Sequence, residues 1–139
     1  GLPGGPMSGE TDLGKLLAGL RATLVPDTYV FATLTGPIPQ GVTARMVFRE
    51  AEGTTLIVTR AEAEAAGLAY EFPSRMITLD VHSALEAVGF IAVIATELAK
   101  AGMGVNPVAG FYHDHIFVPE GREGDALRIL ARIAADHAG

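Results

Sequence analysis

The sequence predicts an α+β fold, and three observations carry that reading. Short runs rich in β-branched and aromatic residues recur along the chain, such as TYVFATL (28–34) and TTLIVTR (54–60). Between them lie stretches whose apolar residues repeat at helical spacing. From residue 75 the predicted order is strand, helix, strand, strand, helix, a ferredoxin-like βαββαβ unit without its last strand. The preceding order is helix, three strands and a short helix. It reads as a degenerate copy of the same unit, its crossover helix replaced by the loop TGPIPQG (35–41). The expected product is a mostly antiparallel sheet with helices on one face.

Each element has a local cause. Thr11 or Asp12 caps a helix in which Leu13, Leu16, Leu17 and Leu20 form one apolar stripe, and Pro26 ends that unit. ARMVFRE (44–50) and TTLIVTR (54–60) are strands of a hairpin with Gly53 at its turn. AEAEAAG (61–67) is a short helix closed by Gly67. EFPSR (71–75) is the expected junction between halves. RMITLDVH (75–82) alternates, with Ile77, Leu79 and Val81 on one face and Met76, Thr78, Asp80 and His82 on the other. Phe90–Ala101 is a largely covered helix ended by Gly102 and Gly104. VNPVAGFY (105–112) is a strand that Pro107 confines to an edge, because proline donates nothing to a ladder. HIFVP (115–119) is a strand, and 124–137 a helix with Leu127, Leu130, Ile133 and Ala134 inward.

The domain reading follows. Residues 1–7 are a leftover or flexible leader, 8–72 the degenerate N-terminal half and 73–139 the C-terminal half. The two are expected to unfold as one cooperative domain. The missing fourth strand would leave 75–82 with an open edge, for which TYVFATL or one of the hairpin strands is the expected cover.

Composition removes whole classes of function. Net charge is −6 with only 10 Lys and Arg among 139 residues, the wrong balance for a phosphate backbone. There is no cysteine, so disulfides, thiolate zinc sites and thiol nucleophiles are excluded. The most apolar run, Val88–Ala99, is too short for a membrane span and carries Glu97. A reducing, cytoplasmic location is expected.

Chemistry-bearing residues concentrate in two places. In FYHDHIFVP (111–119) the chain is expected to reverse at His113–Asp114. The ferredoxin-like order then brings His82, His113, Asp114 and His115 to one end of the sheet. This is a hairpin corner, a ligand-contacting hairpin or a metal site, although a turn between the two histidines would part their faces and a defined third ligand is lacking. The second place is the turn Ser83–Phe90, which ends a strand and opens a helix. Its free amides attract an anion, and Gly89 allows close approach to the backbone, or merely tight packing. Glu86 favours a ligand that also carries an ammonium. No nucleophile elbow or phosphate-cradling glycine loop is present. Glu62 and Glu64 read as a solvated face.

The segment MITLDVHSALEAVGFIAVIATELAKAGMGVNPVAGFYHDHIFVP (76–119) resembles the ACT domain. From Met7 the chain is similar to small free-standing bacterial ACT-domain proteins, through SGETDLGKLL, FREAEGTTLIV and VAGFYHDHIFVP. The resemblance implies a regulatory sensor without catalytic activity or cofactor, binding a small molecule, commonly an amino acid, and working as a homodimer or higher assembly. Carried over, the ligand-binding residues are His82, Ser83, Ala84, Leu85, Glu86, Ala87, Val88, Gly89 and Phe90, faced by Asn106 and Val108, with His113 and His115 from the hairpin. No attached catalytic domain is expected, a departure from the usual family pattern. The alternatives are a metal-binding protein or metal-dependent enzyme built on the His/Asp cluster, and a pure assembly module.

Overall fold

The computed structural model describes residue 9 and residues 11–138. The leader expected at 1–7 lies outside the described residues. The element order is α1 (Leu13–Ala18), β1 (Ala22–Leu24), β2 (Tyr29–Leu34), β3 (Met46–Arg49), β4 (Thr54–Thr59), α2 (Arg60–Ala65), β5 (Tyr70–Leu79), α3 (Phe90–Lys100), β6 (Asn106–Ala109), β7 (Asp114–Pro119) and α4 (Glu123–His137). These form two compact units, one of residues up to Val25 with those from Met76, the other Pro26–Arg75.

In the first unit Asp12 caps α1, its carboxylate accepting from the Lys15 amide at 3.1 Å. The leucine stripe then buries Leu16, Leu17 and Leu20 in a core shared with Ile77 and Leu79 of β5, Phe90, Ile94 and Leu98 of α3, Ile116 and Val118 of β7, and Leu130 and Ile133 of α4. The strand residues in this core are two apart, so α1, α3 and α4 cover one face. Strand β7 lies between β5 and β6. Strand β6 stands at an edge, as Pro107 requires.

The end of β5 does have a partner on its other side, but not an expected one. Strand β1 pairs antiparallel with it, Ala22 opposite Leu79 and Leu24 opposite Ile77. The Val25 amide donates to Met76 O at 2.9 Å and the Thr23 hydroxyl bonds the Asp80 carboxylate. The three residues of β1 occupy the fourth-strand position of the ferredoxin-like order, a role the sequence reading gave to TYVFATL or the hairpin. The four residues between Arg21 and Pro26, three of them strand, are too few to show strand periodicity.

The second unit has the strand order β3-β4-β2-β5. Strand β2 pairs with β4 along its whole length, and with β5 through Tyr29–Ser74, Phe31–Glu71 and Ala32–Tyr70. Where a crossover helix would lie, the loop 35–45 lays Val42 and Ala44 on the core of Val30, Ala32, Leu56, Val58 and Ala63. EFPSR, the expected junction, is strand rather than loop, and the boundary between the two units falls at its end, after Arg75. The segment lies inside β5, whose irregular register against β2 accompanies a left-handed Phe72 (φ 56°), the mark of a bulge.

One further reading is corrected. Strand β5 ends at Leu79, so Asp80–His82 are not strand. Met76, on the face opposite Ile77 and Leu79, is buried.

Candidate ligand site

The hairpin between β6 and β7 reverses at Phe111–Tyr112, two residues earlier than the turn chemistry of His113–Asp114 suggests. Ala109 pairs with Asp114 and Val108 with His115, and the Gly110 amide donates to His113 O at 2.9 Å. Asp114 and His115 thus belong to a regular strand, and its period of two separates them. Asp114 shares its face with Ile116 and Val118, the helix-covered side. Its carboxylate accepts from the buried Ser83 hydroxyl at 3.0 Å. His115 turns to the other face, where Nδ1 lies 3.0 Å from Thr78 Oγ1.

The histidines do come to one end of the unit, but as a ring cluster. The His82 ring packs, tilted, 5.5 Å from Tyr112 and lies 6.5 Å from His113, whose Nδ1 approaches Val81 O at 3.4 Å. Among the described residues no group of three or more His, Asp or Glu side chains is placed to hold a metal ion.

Beside this cluster lies a cavity of about 240 Å³. It is lined by Ser83, Ala84, Leu85, Ala87, Gly89, Phe90, Ile91 and Ala92 from the turn and the start of α3, and by Ala109, Gly110 and Asp114 from the hairpin. Of the expected site residues, six from the turn line it. His82, Glu86, Val88, Asn106, Val108, His113 and His115 do not. Glu86 and Val88 are exposed, and Asn106 pairs with Phe117, far along β6 from the hairpin. The sequence reading missed Ile91, Ala92, Ala109 and Gly110 as lining residues, and placed Asp114 with the histidines. Ala109 and Gly110 reach it through the β6–β7 register, which no local motif encodes.

The chemistry has two poles. Helix α3 starts at Gly89 with no side-chain cap, and its first-turn residues line the cavity, so the unbonded amides and the positive end of the helix dipole belong to that wall. The other pole is the Asp114 carboxylate, steadied by Ser83. Gly89 has φ 92°, a conformation that other residues adopt only with strain. A bulky residue there would disturb the turn itself. The backbone at residue 9 also presses on the turn. A Cβ on Gly9 would stand 2.3 Å from the Ala84 nitrogen, so only glycine fits.

A charged network lies away from the cavity. Glu97 bonds Lys100 at 2.8 Å and approaches Arg132 at 3.8 Å. The Lys100 contact chiefly holds the Glu97 carboxyl below its ordinary value, against the opposing effect of burial. Asp125 is lowered in the same way, first by its hydrogen bond from Arg122 and also by Arg128.

A chain of two ferredoxin-like units, with a small polar-ended cavity at a strand-to-helix turn, has the form of a small-molecule-binding regulatory module. The comparisons agree: ACT-domain models match residues 8–75 and 71–132. The chain belongs to the ACT-domain family. A Vibrio cholerae protein of unknown function, described as a possible transport protein, is 40% identical with a TM-score of 0.80, over 88% of this chain and 95% of its own. An Agrobacterium tumefaciens protein is 16% identical with a TM-score of 0.68, over 83% and 89% of the two chains. The regulatory subunit of aspartate kinase from Thermus flavus is 11% identical with a TM-score of 0.60, over 81% and 95%. The last two share the fold alone. No protein of curated function matches. No helix among the described residues is long and apolar enough to cross a membrane.

Proposed function

We propose that this ACT-domain protein is a non-catalytic, cytoplasmic sensor of a free amino acid, bound in the cavity between the start of α3 and the hairpin. One observation carries the reading: the residues that open α3, Gly89 to Ala92, and Asp114 line the same cavity. A zwitterion matches both, its carboxylate at the helix N-terminus and its ammonium on Asp114. A simple carboxylic acid would leave Asp114 facing it as a like charge. Glu86, which the sequence suggested for the ammonium, lies off the cavity; Asp114 takes that role. The volume of about 240 Å³ is below the roughly 300–1,000 Å³ of drug-sized pockets, and the walls are mostly alanine and glycine, so a single amino acid fits better than a nucleotide or peptide.

Because the cavity joins two separate elements, the turn before α3 and the β6–β7 hairpin, an occupant ties them together. That is a means of signalling by ordering rather than by reaction. A thermal-shift screen of the twenty amino acids tests the proposal. A ligand at ~100 times its dissociation constant adds about 2.7 kcal/mol of stability. One or a few amino acids should raise the midpoint of the wild type and leave Ala92→Glu unmoved, since a carboxylate in the first turn suits the helix but repels the ligand's own. An equal response in that variant would place the binding elsewhere.

A further inference from the structure

Resting on the amino-acid reading of the cavity, we infer that it selects amino acids with an apolar side chain and rejects those whose side chain is charged or carries an amide. Among the described residues, Ser83 and Asp114 bear the only polar side chains on the cavity wall. The Ser83 hydroxyl is buried and donates to the Asp114 carboxylate at 3.0 Å. With the ligand's ammonium on Asp114 and its carboxylate at the opening turn of α3, both polar poles are taken. No side chain of the wall is left to pair with a third polar group.

Each polar class of amino acid meets that shortage in its own way. Lysine and arginine bring two cations, the α-ammonium and the side chain, to a wall with one carboxylate. Aspartate and glutamate bring a second carboxylate, which either stands near Asp114 as a like charge or goes unpaired. A charge that leaves water without a partner opposes binding strongly. Asparagine and glutamine lose the hydrogen bonds their amides made to water and gain none from the wall's side chains.

The rest of the wall is apolar and continuous with the core of its unit. Phe90 is 3% exposed and belongs to the core cluster, and Ala87 and Ile91 pack against that cluster. Leu85 differs: it lines the cavity and is nevertheless 65% exposed. An exposed leucine on an open surface needs no explanation. One that borders a cavity gains cover when an apolar group enters, so the ligand's side chain and Leu85 shield each other from water. Such burial strengthens binding by about fourfold for each methylene. Leucine carries three more carbons than alanine, enough for a difference of roughly tenfold or more.

Calorimetric titration of single amino acids into the full chain tests this. Leucine, isoleucine and methionine should bind roughly tenfold or more tightly than alanine, and glutamate, lysine, arginine and glutamine more weakly than alanine. Ala92→Glu should abolish binding of them all. Leu85→Ala alters an exposed side chain and should stay folded by circular dichroism. It should shrink the ratio of leucine to alanine affinity by about threefold or more, whereas a general loosening of the fold would lower both affinities alike. Two failures are distinct. If no amino acid binds, or binding survives Ala92→Glu, the cavity is not an amino-acid site and the side-chain selection falls with it. If Ala92→Glu abolishes binding but the wild type prefers a charged or amide side chain, the site stands and the selection is wrong. A Leu85→Ala variant with the wild-type ratio would overturn the selection as well.

Discussion

Replacing Gly89 by alanine isolates the backbone strain on which the candidate site is built. Two substitutions are compared, Gly89→Ala and Gly104→Ala. Both exchange glycine for alanine, so the entropy removed from the unfolded chain, worth about 0.4–1 kcal/mol of stability, cancels in the difference. At Gly104 an added Cβ meets nothing within 4 Å, and the backbone is not left-handed. At Gly89 φ is 92°, and the Cβ would lie 3.3 Å from Leu13 Cδ2, the movable end of a flexible side chain. The contact can relax, but the φ of 92° lies where side chains are strained whatever the space. The left-handed conformation costs a non-glycine residue roughly 1–2 kcal/mol. Gly89→Ala should therefore be less stable than Gly104→Ala by about that amount, equivalent to roughly 3–6 °C in midpoint for a chain of this size. Thermal and urea unfolding followed by circular dichroism measure it. Equal midpoints would show that the turn accommodates a side chain, and the argument that its geometry requires glycine would be wrong.

Two other perturbations have defined outcomes. Leu98→Ala empties a fully buried position between the helices and the sheet, and should cost about 2–5 kcal/mol in urea unfolding; a cost below ~1 kcal/mol would mean that this core is not close-packed. Acid should weaken the protein in part through Glu97 and Asp125. Both carboxyls sit below their ordinary values of 4.5 and 3.8 in the folded chain. Their contribution is thus fully present above those values and lost as the pH falls through the lower folded ones. Glu97→Gln with Asp125→Asn should flatten the stability profile below about pH 4.5 and leave its neutral-to-alkaline limb unchanged in shape; an unaltered acid limb would contradict the assignment.

Much of the fold was legible because its causes are local. The leucine stripe of α1, the hairpin of β3 and β4 and the glycine-ended helix α3 each announce themselves within a few residues, and the order of elements then fixes β7 between β5 and β6. What was not legible depends on partners distant in sequence. Strand β1 is strand only because Leu79 and Ile77 lie beside it. The reversal at Phe111–Tyr112 overrides the turn preference of Asp114, because the register pairs Ala109 with Asp114. That displacement decided the site. With the turn two residues later, Asp114 belonged with the histidines; in its actual register it leaves them and lines the cavity at the helix start. Gly89 was picked out correctly as special, but as room for a ligand, when its positive φ is the stronger constraint. Ala109 and Gly110 carry no functional group and could be found only once the cavity was built.

The central claim is that a zwitterionic amino acid occupies the cavity between α3 and the hairpin. Backbone amide NMR titration of the uniformly ¹⁵N-labelled chain tests it most directly, using the amino acid that gives the largest thermal shift. The account predicts concerted, saturable shifts at Phe90, Ile91, Ala92 and Gly110. Asp114→Asn should keep the fold, since its side-chain carbonyl still accepts from Ser83. It should bind at least tenfold more weakly, because a charge-assisted bond worth about 1.5–3 kcal/mol is lost. Shifts confined instead to the alanine-lined groove between α1 and α4, at Leu130, Ala131 and Ala134, or an Asp114→Asn variant that binds as tightly as the wild type, would contradict it.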